Sequence, residues 1–212
     1  MSAFHLNNLT RRCPTLVSCR KEIISAFELL RSAFNSSGKL LVVGNGGSAA
    51  DADHIVAELM KSFLRRRAIP AQVNETLSSK FGDEGAVLAT KLEGALPAIS
   101  LACMPAITTA FGNDADPNAA FAQLVYGLGN EGDVLLGIST SGNAVNVANA
   151  LMVAKVKGMK TVGLTGRSGG KFNALCDCVI HAPADETYAI QELHLPIYHA
   201  LCATLEDEFF NE

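Results

Sequence analysis

The chain has 212 residues, 49% of them hydrophobic and 18% charged, with a formal net charge of −4. That is apolar material enough for the core of one α/β domain, and the negative balance argues against a nucleic-acid or anionic-membrane surface. No apolar run reaches the roughly 20 residues that a bilayer span needs, and the first twelve residues lack the apolar centre of a secretory signal. The expected location is cytoplasmic. Six cysteines at 13, 19, 103, 176, 178 and 202 offer a single C-x-C pair and no zinc-finger spacing, so they are expected to be reduced and structural.

Pro14 suits a first helical turn, and apolar residues recur at helical spacing until Asn35-Ser36-Ser37-Gly38 stops the pattern. One long N-terminal helix is therefore expected over 14–34, within a helical segment 1–37. Its apolar stripe suits another subunit or the chain's own core. Leu40-Leu41-Val42-Val43 reads as a buried strand, followed by Gly44-Asn45-Gly46-Gly47-Ser48 and a helix through Glu58. Residues 65–96 are less regular, with a partly helical stretch over 72–92 interrupted at Gly82 and Gly85, and read as an insertion within a single domain 1–212. The run Arg65-Arg66-Arg67 inside it reads as a solvated helix end, with phosphate binding as the sharper alternative.

A second strand is expected over 97–101, a turn at Phe111-Gly112-Asn113-Asp114, and a helix over 117–128. A third strand, 133–138, runs into Ser139-Thr140-Ser141-Gly142-Asn143 and a helix to about Val156. Strands over 160–164 and 177–180 and a final helix over 186–210 complete the pattern. Strand, polar turn and helix alternate throughout, which predicts a three-layer αβα fold around a five-stranded parallel sheet. Each polar turn then falls on the carboxyl edge of the sheet, where such folds bind ligands.

The glycine turn lets a ligand approach bare backbone, and His54 and Glu58, four residues apart, project from one face of the helix that follows. Three hydroxyls at 139–141, opposite Ser48, make a phosphate cradle without a fixed positive charge; the plainer reading is helix capping. Gly44-x-Gly46-x-x-Ala49 also satisfies a dinucleotide fingerprint, but no acidic residue ends the next strand, which argues against NAD. In the last helix Gln191 and His199 stand eight residues apart, a rise of about 12 Å. They cannot easily clasp one ion from a straight helix; Pro196 should kink it, or the two serve sites shared across a subunit interface. His181 and His194 are expected to be non-catalytic.

Taken together, Gly44-Asn-Gly-Gly-Ser48, His54-x-x-x-Glu58, Asn113-Asp114, the 132–142 run, Leu164-Thr-Gly and Gln191-Glu-x-His resemble the phosphoheptose isomerases of the sugar-isomerase (SIS) superfamily. That resemblance implies a SIS fold and conversion of D-sedoheptulose 7-phosphate to D-glycero-D-manno-heptose 7-phosphate through an enediol. It implies a divalent metal, usually zinc, on His54, Glu58, Gln191 and His199, with Glu58 and His199 as the acid/base pair. Asn45, Gly46, Gly47, Ser48, Asn113, Asp114, Ser139, Thr140, Ser141 and Gln191 would hold the sugar phosphate. It further implies a homotetramer with active sites at subunit interfaces. Ala144 and Ser62 depart from the family, which usually has serine and often arginine there. Another sugar phosphate, or a non-enzymatic adaptor on the same fold, are the alternative readings.

Overall fold

The computed structural model describes residues 3–210. Its centre is a parallel sheet of β1 (Leu40–Gly44), β2 (Ala98–Ser100), β3 (Val134–Ile138), β4 (Lys160–Thr165) and β5 (Cys178–His181), in the order β2-β1-β3-β4-β5. Leu40 pairs with Val134 and Gly44 with Ile138, so β1 and β3 end level with each other. Alternation along the strands divides two cores. Leu40, Val42, Val134, Leu136 and Ile138 face one with Ile23, Phe27, Ile55 and Leu201. Leu41, Val43 and Leu135 face the other with Phe121, Val125, Leu151 and Phe172. This is the expected three-layer sheet sandwich.

The helices are α1 (Ala3–Arg12), α2 (Arg20–Asn35), α3 (Gly47–Met60), α4 (Ala71–Ala89), α5 (Pro105–Asp114), α6 (Ala120–Leu128), α7 (Val145–Val156), α8 (Phe172–Leu175) and α9 (Thr187–Phe209). The single N-terminal helix expected over 14–34 is a correction. The structure has α1, a 3-10 turn over Pro14–Cys19 and then α2. Pro14 pushes Cys13 out of the helical region (φ −127°, ψ 78°), and Leu16 and Cys19, three apart, eclipse on one side of the 3-10 turn and are both buried. The segment 72–92 is mostly α4, broken where Gly82 takes φ 57°, while Gly85 stays helical and buried. The turn expected at 111–114 is instead the last turn of α5. No helix among the described residues is long and apolar enough to cross a membrane.

α3 and α9 pack on the same face of the sheet, side by side and in step. A Cβ on Gly47 would overlap the Gln191 carboxamide, His54 meets His199, and the carbonyls of Glu58 and Leu59 are tied to Glu206 through Arg67. Residue numbers rise together along the two helices, so they run parallel. That tie corrects the reading of the arginine run. The Arg67 and Glu206 side chains are 0% exposed and 2.7 Å apart. Arg67 also donates to the carbonyls of Leu59 (2.7 Å) and Glu58 (2.8 Å), and its guanidinium lies over Phe210. Burial would raise the Glu206 carboxyl, but the Phe63 and Leu64 N–H groups and Arg67 hold it below the ordinary carboxylate range.

Candidate active site

The strand order doubles back at β1/β3, and in open parallel sheets the crevice outside the carboxyl ends at such a point takes the ligand. The two turns that meet there are 45–48 after β1 and 139–143 after β3. Gly46 takes φ 54°, ψ −120°, a conformation that favours glycine, and a Cβ there would meet nothing within 4 Å. The backbone is bare at that point. Ser48 N–H returns to the Asn45 carbonyl and Ala49 N–H to that of Gly46, both at 3.0 Å, so these two amides are spent within the turn. The Asn45 and Asn146 amides bond reciprocally at 2.8 and 2.9 Å, joining the turn to the start of α7.

The hydroxyls at 139–141 do not cap α7. Its N-cap is Ala144, with no side-chain cap bond. Ser141 Oγ accepts from Asn143 N–H at 3.2 Å, while the hydroxyls of Ser48, Ser139 and Thr140 make no hydrogen bond among the described residues, although Ser48 and Ser139 are buried to 3% and 7% exposure. Neither oxygen is among the buried side-chain atoms left without a partner, so both hydroxyls reach the open crevice. Three in one crevice with nothing bonded suit an oxyanion acceptor. Thr140 and Ser141 also line a cleft of about 170 Å³ with Arg167, which is paired to Asp185 at 3.1 Å.

About two turns along α3 from Ser48, three of the expected side chains converge. His54 Nε2 lies 3.1 Å from Glu58 Oε1 and 3.4 Å from His199 Nε2. All three come from one chain. Lys61 Nζ donates to Glu58 Oε2 at 3.0 Å. Burial and the neighbouring His54 hold the His199 imidazole below its usual range, opposed by Glu58, so it is a neutral proton acceptor at neutral pH. Phe63 packs against the His199 ring, and both line a cleft of about 490 Å³ between α1 and α9.

Gln191 does not join these three. α9 runs as one helix through Pro196, and Gln191 lies at its start against Gly47, beside the 45–48 turn. Asn113 and Asp114 end α5, exposed, with Asn113 Nδ2 donating to Asp114 Oδ1 at 2.9 Å; among the described residues no hydrogen bond or ion pair links them to the cluster. His194 is fully buried and shares a hydrogen bond of 3.2 Å with the Thr165 carbonyl, and His181 bonds Asn173 at 2.8 Å. At the family's arginine position, Ser62 Oγ accepts from Arg67 N–H at 3.0 Å, part of the buried tie.

Sequence reasoning missed Tyr198 and Asp51. Tyr198 Oη is 3.0 Å from His54 Nδ1 and donates to Asp51 Oδ1 at 3.3 Å. The signal was available, since Tyr198 adjoins His199 and Asp51 lies three residues before His54, but an aromatic in an apolar helix reads as core.

The SIS domain family matches residues 108–206. The phosphoheptose isomerase of Pelobacter propionicus is 42% identical over 181 residues, covering 85% of this chain and 82% of that one. Among solved structures, phosphoheptose isomerase GmhA from Neisseria gonorrhoeae is 32% identical with a TM-score of 0.74, covering 97% of this chain and 96% of that one. A phosphoheptose isomerase from Francisella tularensis is 30% identical with a TM-score of 0.76, covering 97% and 95%. By sequence and by architecture, the chain belongs to the phosphoheptose isomerase family.

Proposed function

We propose that the chain is a ketose–aldose isomerase acting on D-sedoheptulose 7-phosphate to give D-glycero-D-manno-heptose 7-phosphate. The observation that carries this is the pairing of one unbonded hydroxyl crevice with one carboxylate–imidazole cluster on the same helix. Ser48, Ser139, Thr140 and Ser141 hold the phosphate, with the backbone at Gly46 and Gly47; Asn45, braced by Asn146, and Gln191 border it. Asn113 and Asp114 enter only through the family likeness. From Ser48 to His54 is six residues, a rise of about 9 Å. Eight bonds separate C1 of a heptulose 7-phosphate from phosphorus, roughly 10 Å at the ~1.2 Å per bond of an extended chain. A five-carbon analogue falls roughly 2–3 Å short on the same scale.

The reaction moves one proton between C1 and C2 and another between their oxygens. Glu58 and His199 supply a carboxylate and a neutral imidazole for the two transfers, each worth roughly 10²–10⁴-fold. The anchored phosphate positions the reacting carbons. The donor set also fits a divalent cation, with zinc the first choice for His and carboxylate ligands. Tetrahedral ligands at about 2.0–2.2 Å from zinc stand roughly 3.3–3.6 Å apart, close to the 3.1 and 3.4 Å separations from His54 Nε2. Among the described residues no hydrogen bond or ion pair joins Glu58 to His199, and no group of three His, Cys, Asp or Glu side chains is arranged to hold a metal ion. His54, Glu58 and His199 would hold the ion, which when bound would polarise the substrate carbonyl.

We further infer a homotetramer with the sites near subunit interfaces. α4 buries only Gly85 and Ala89, while Val73, Phe81, Val87 and Leu88 on it are exposed, an apolar face that another subunit would cover. A cytoplasmic location goes with this reading, which six free cysteines suit. The test is a panel of ketose phosphates of five to seven carbons, with and without a chelator. Turnover is expected to be greatest for the seven-carbon ketose and to fall on chelation. Equal turnover across the panel would remove the substrate assignment, and indifference to the chelator would remove the metal.

A further inference from the structure

We propose that Arg167 binds the substrate phosphate, its unspent guanidinium edge supplying the positive charge that the hydroxyls of the 139–141 turn lack, and that Asp185 opposes this binding. The proposal deepens the substrate reading above and rests on it for the identity of the anion.

Backbone contacts fix Arg167 beside the cradle. The loop after β4, 166–171, is the support on which the 139–143 turn rests. Gly166 N–H donates to the Thr140 carbonyl at 2.9 Å, and Lys171 N–H to Asn143 Oδ1 at 3.1 Å. A Cβ on Gly142 would overlap the Gly169 carbonyl, and one on Gly170 the Ser141 carbonyl. The two loops therefore approach more closely than side chains would allow. Arg167 follows Gly166 directly, and its own N–H donates to the Ala184 carbonyl at 3.1 Å. It is thus one residue from the amide that holds Thr140, and it lines one cleft with Thr140 and Ser141.

The guanidinium is held there but not used up. Nε donates to both Asp185 oxygens, at 3.2 and 3.1 Å, and Nη2 to the Pro183 carbonyl at 2.8 Å. A guanidinium has five N–H groups. The Nε one and one on Nη2 are engaged, so the second on Nη2 and both on Nη1 have no acceptor among the described residues. The hydroxyls of Thr140, Ser141, Ser168 and Thr187 line the same cleft and likewise donate to nothing among the described residues. So many donors without acceptors fit an oxyanion, and the planar fork of arginine matches a phosphate edge. Fastening the loop is a weak reason for the ion pair, because its side chains are 58% and 72% exposed and such pairs add little stability. Arg167 and Asp185 are the charged residues of the cleft. The first attracts an incoming phosphate and the second repels it.

That opposition separates binding from support. Inorganic phosphate is titrated into the full-length protein by calorimetry at about pH 8, above the second ionisation of a phosphate, at low and at moderate salt. Arg167→Gln should weaken binding roughly tenfold, the low end for hydrogen bonds to a charged group because the side chain is half exposed. Arg167→Lys, which keeps the charge without the fork, should recover part of the loss. Asp185→Asn breaks the same ion pair yet should tighten binding about two- to fivefold, since a like charge goes. Added salt should weaken the wild type more than Arg167→Gln, and KM for sedoheptulose 7-phosphate should move in the same directions. Weaker binding in both Arg167→Gln and Asp185→Asn, as for a loop merely fastened by the pair, overturns the proposal. Phosphate lost in Thr140→Val but unmoved by Arg167→Gln also overturns it and leaves the hydroxyl cradle standing. A wild type that binds no phosphate removes the cradle, and Arg167 with it.

Discussion

Replacing Arg67 by Met tests how the site is held together. Arg67 ties the end of α3 to α9 through Glu206 Oε1 at 2.7 Å and the carbonyls of Leu59 and Glu58 at 2.7 and 2.8 Å. Methionine fills part of the volume but leaves Glu206 ionised, 0% exposed, and bonded only to the Phe63 and Leu64 N–H groups at 2.8 and 2.7 Å. Breaking a buried pair on one side costs about 3–5 kcal/mol, and in a chain of this size that lowers Tm by roughly 6–20 °C. Adding Glu206→Gln should recover part of the loss, because the uncompensated charge goes, although the Phe63 and Leu64 N–H groups bond different carboxylate oxygens and glutamine keeps an oxygen for only one of them. The assay is thermal and urea unfolding of the single and double variants at one protein concentration, since a subunit equilibrium would shift Tm. A loss below about 0.5 kcal/mol for Arg67→Met, as for a solvated arginine, would refute the buried tie.

His194 carries an acid sensitivity. Burial lowers its imidazole to about 4, so between about pH 6.5 and 4 the unfolded chain takes up a proton that the folded chain does not. Stability is then intact above pH 6.5 and falls as pH drops through that window, by at most about 3 kcal/mol, and His194→Leu should flatten this dependence in urea unfolding from pH 7 to 4. Thr140→Val keeps the shape and removes one unbonded hydroxyl; hydrogen bonds to a charged group are worth about 1.5–3 kcal/mol, so KM for the sugar phosphate should rise roughly tenfold or more, and an unchanged KM would remove Thr140 from the cradle. Gly47→Ala puts a methyl where the Gln191 carboxamide lies; Tm should hold or rise, because alanine is the better helix former, while KM increases as Gln191 is displaced.

The sheet and its ligand edge were legible because buried strands and polar turns alternate in the chain, and that alternation carries its own periodicity. His54 and Glu58 were legible because four residues on a helix is one face. What escaped depended on partners far along the chain. Arg67 looks solvated within a basic run, and only Glu206, 139 residues away, makes it core. Tyr198 reads as an apolar helix residue until α9 is laid parallel to α3. The spacing of Gln191 and His199 made a shared ion difficult on a straight helix, while the family resemblance put both on one metal; the structure sets them against opposite ends of the 47–54 stretch. α1 falls inside the helical segment expected over 1–37 but was not marked off as its own helix, because only Leu6 and Leu9 anchor it to the core, too few positions for a periodic signal.

The account stands or falls on whether Glu58, beside His54 and His199, moves the carbon-bound proton of an anchored sugar phosphate. Glu58→Gln keeps the size and the hydrogen-bonding oxygen but cannot take that proton. Turnover of D-sedoheptulose 7-phosphate by this variant should fall about 10²–10⁴-fold with KM little changed. Undiminished turnover would contradict the account.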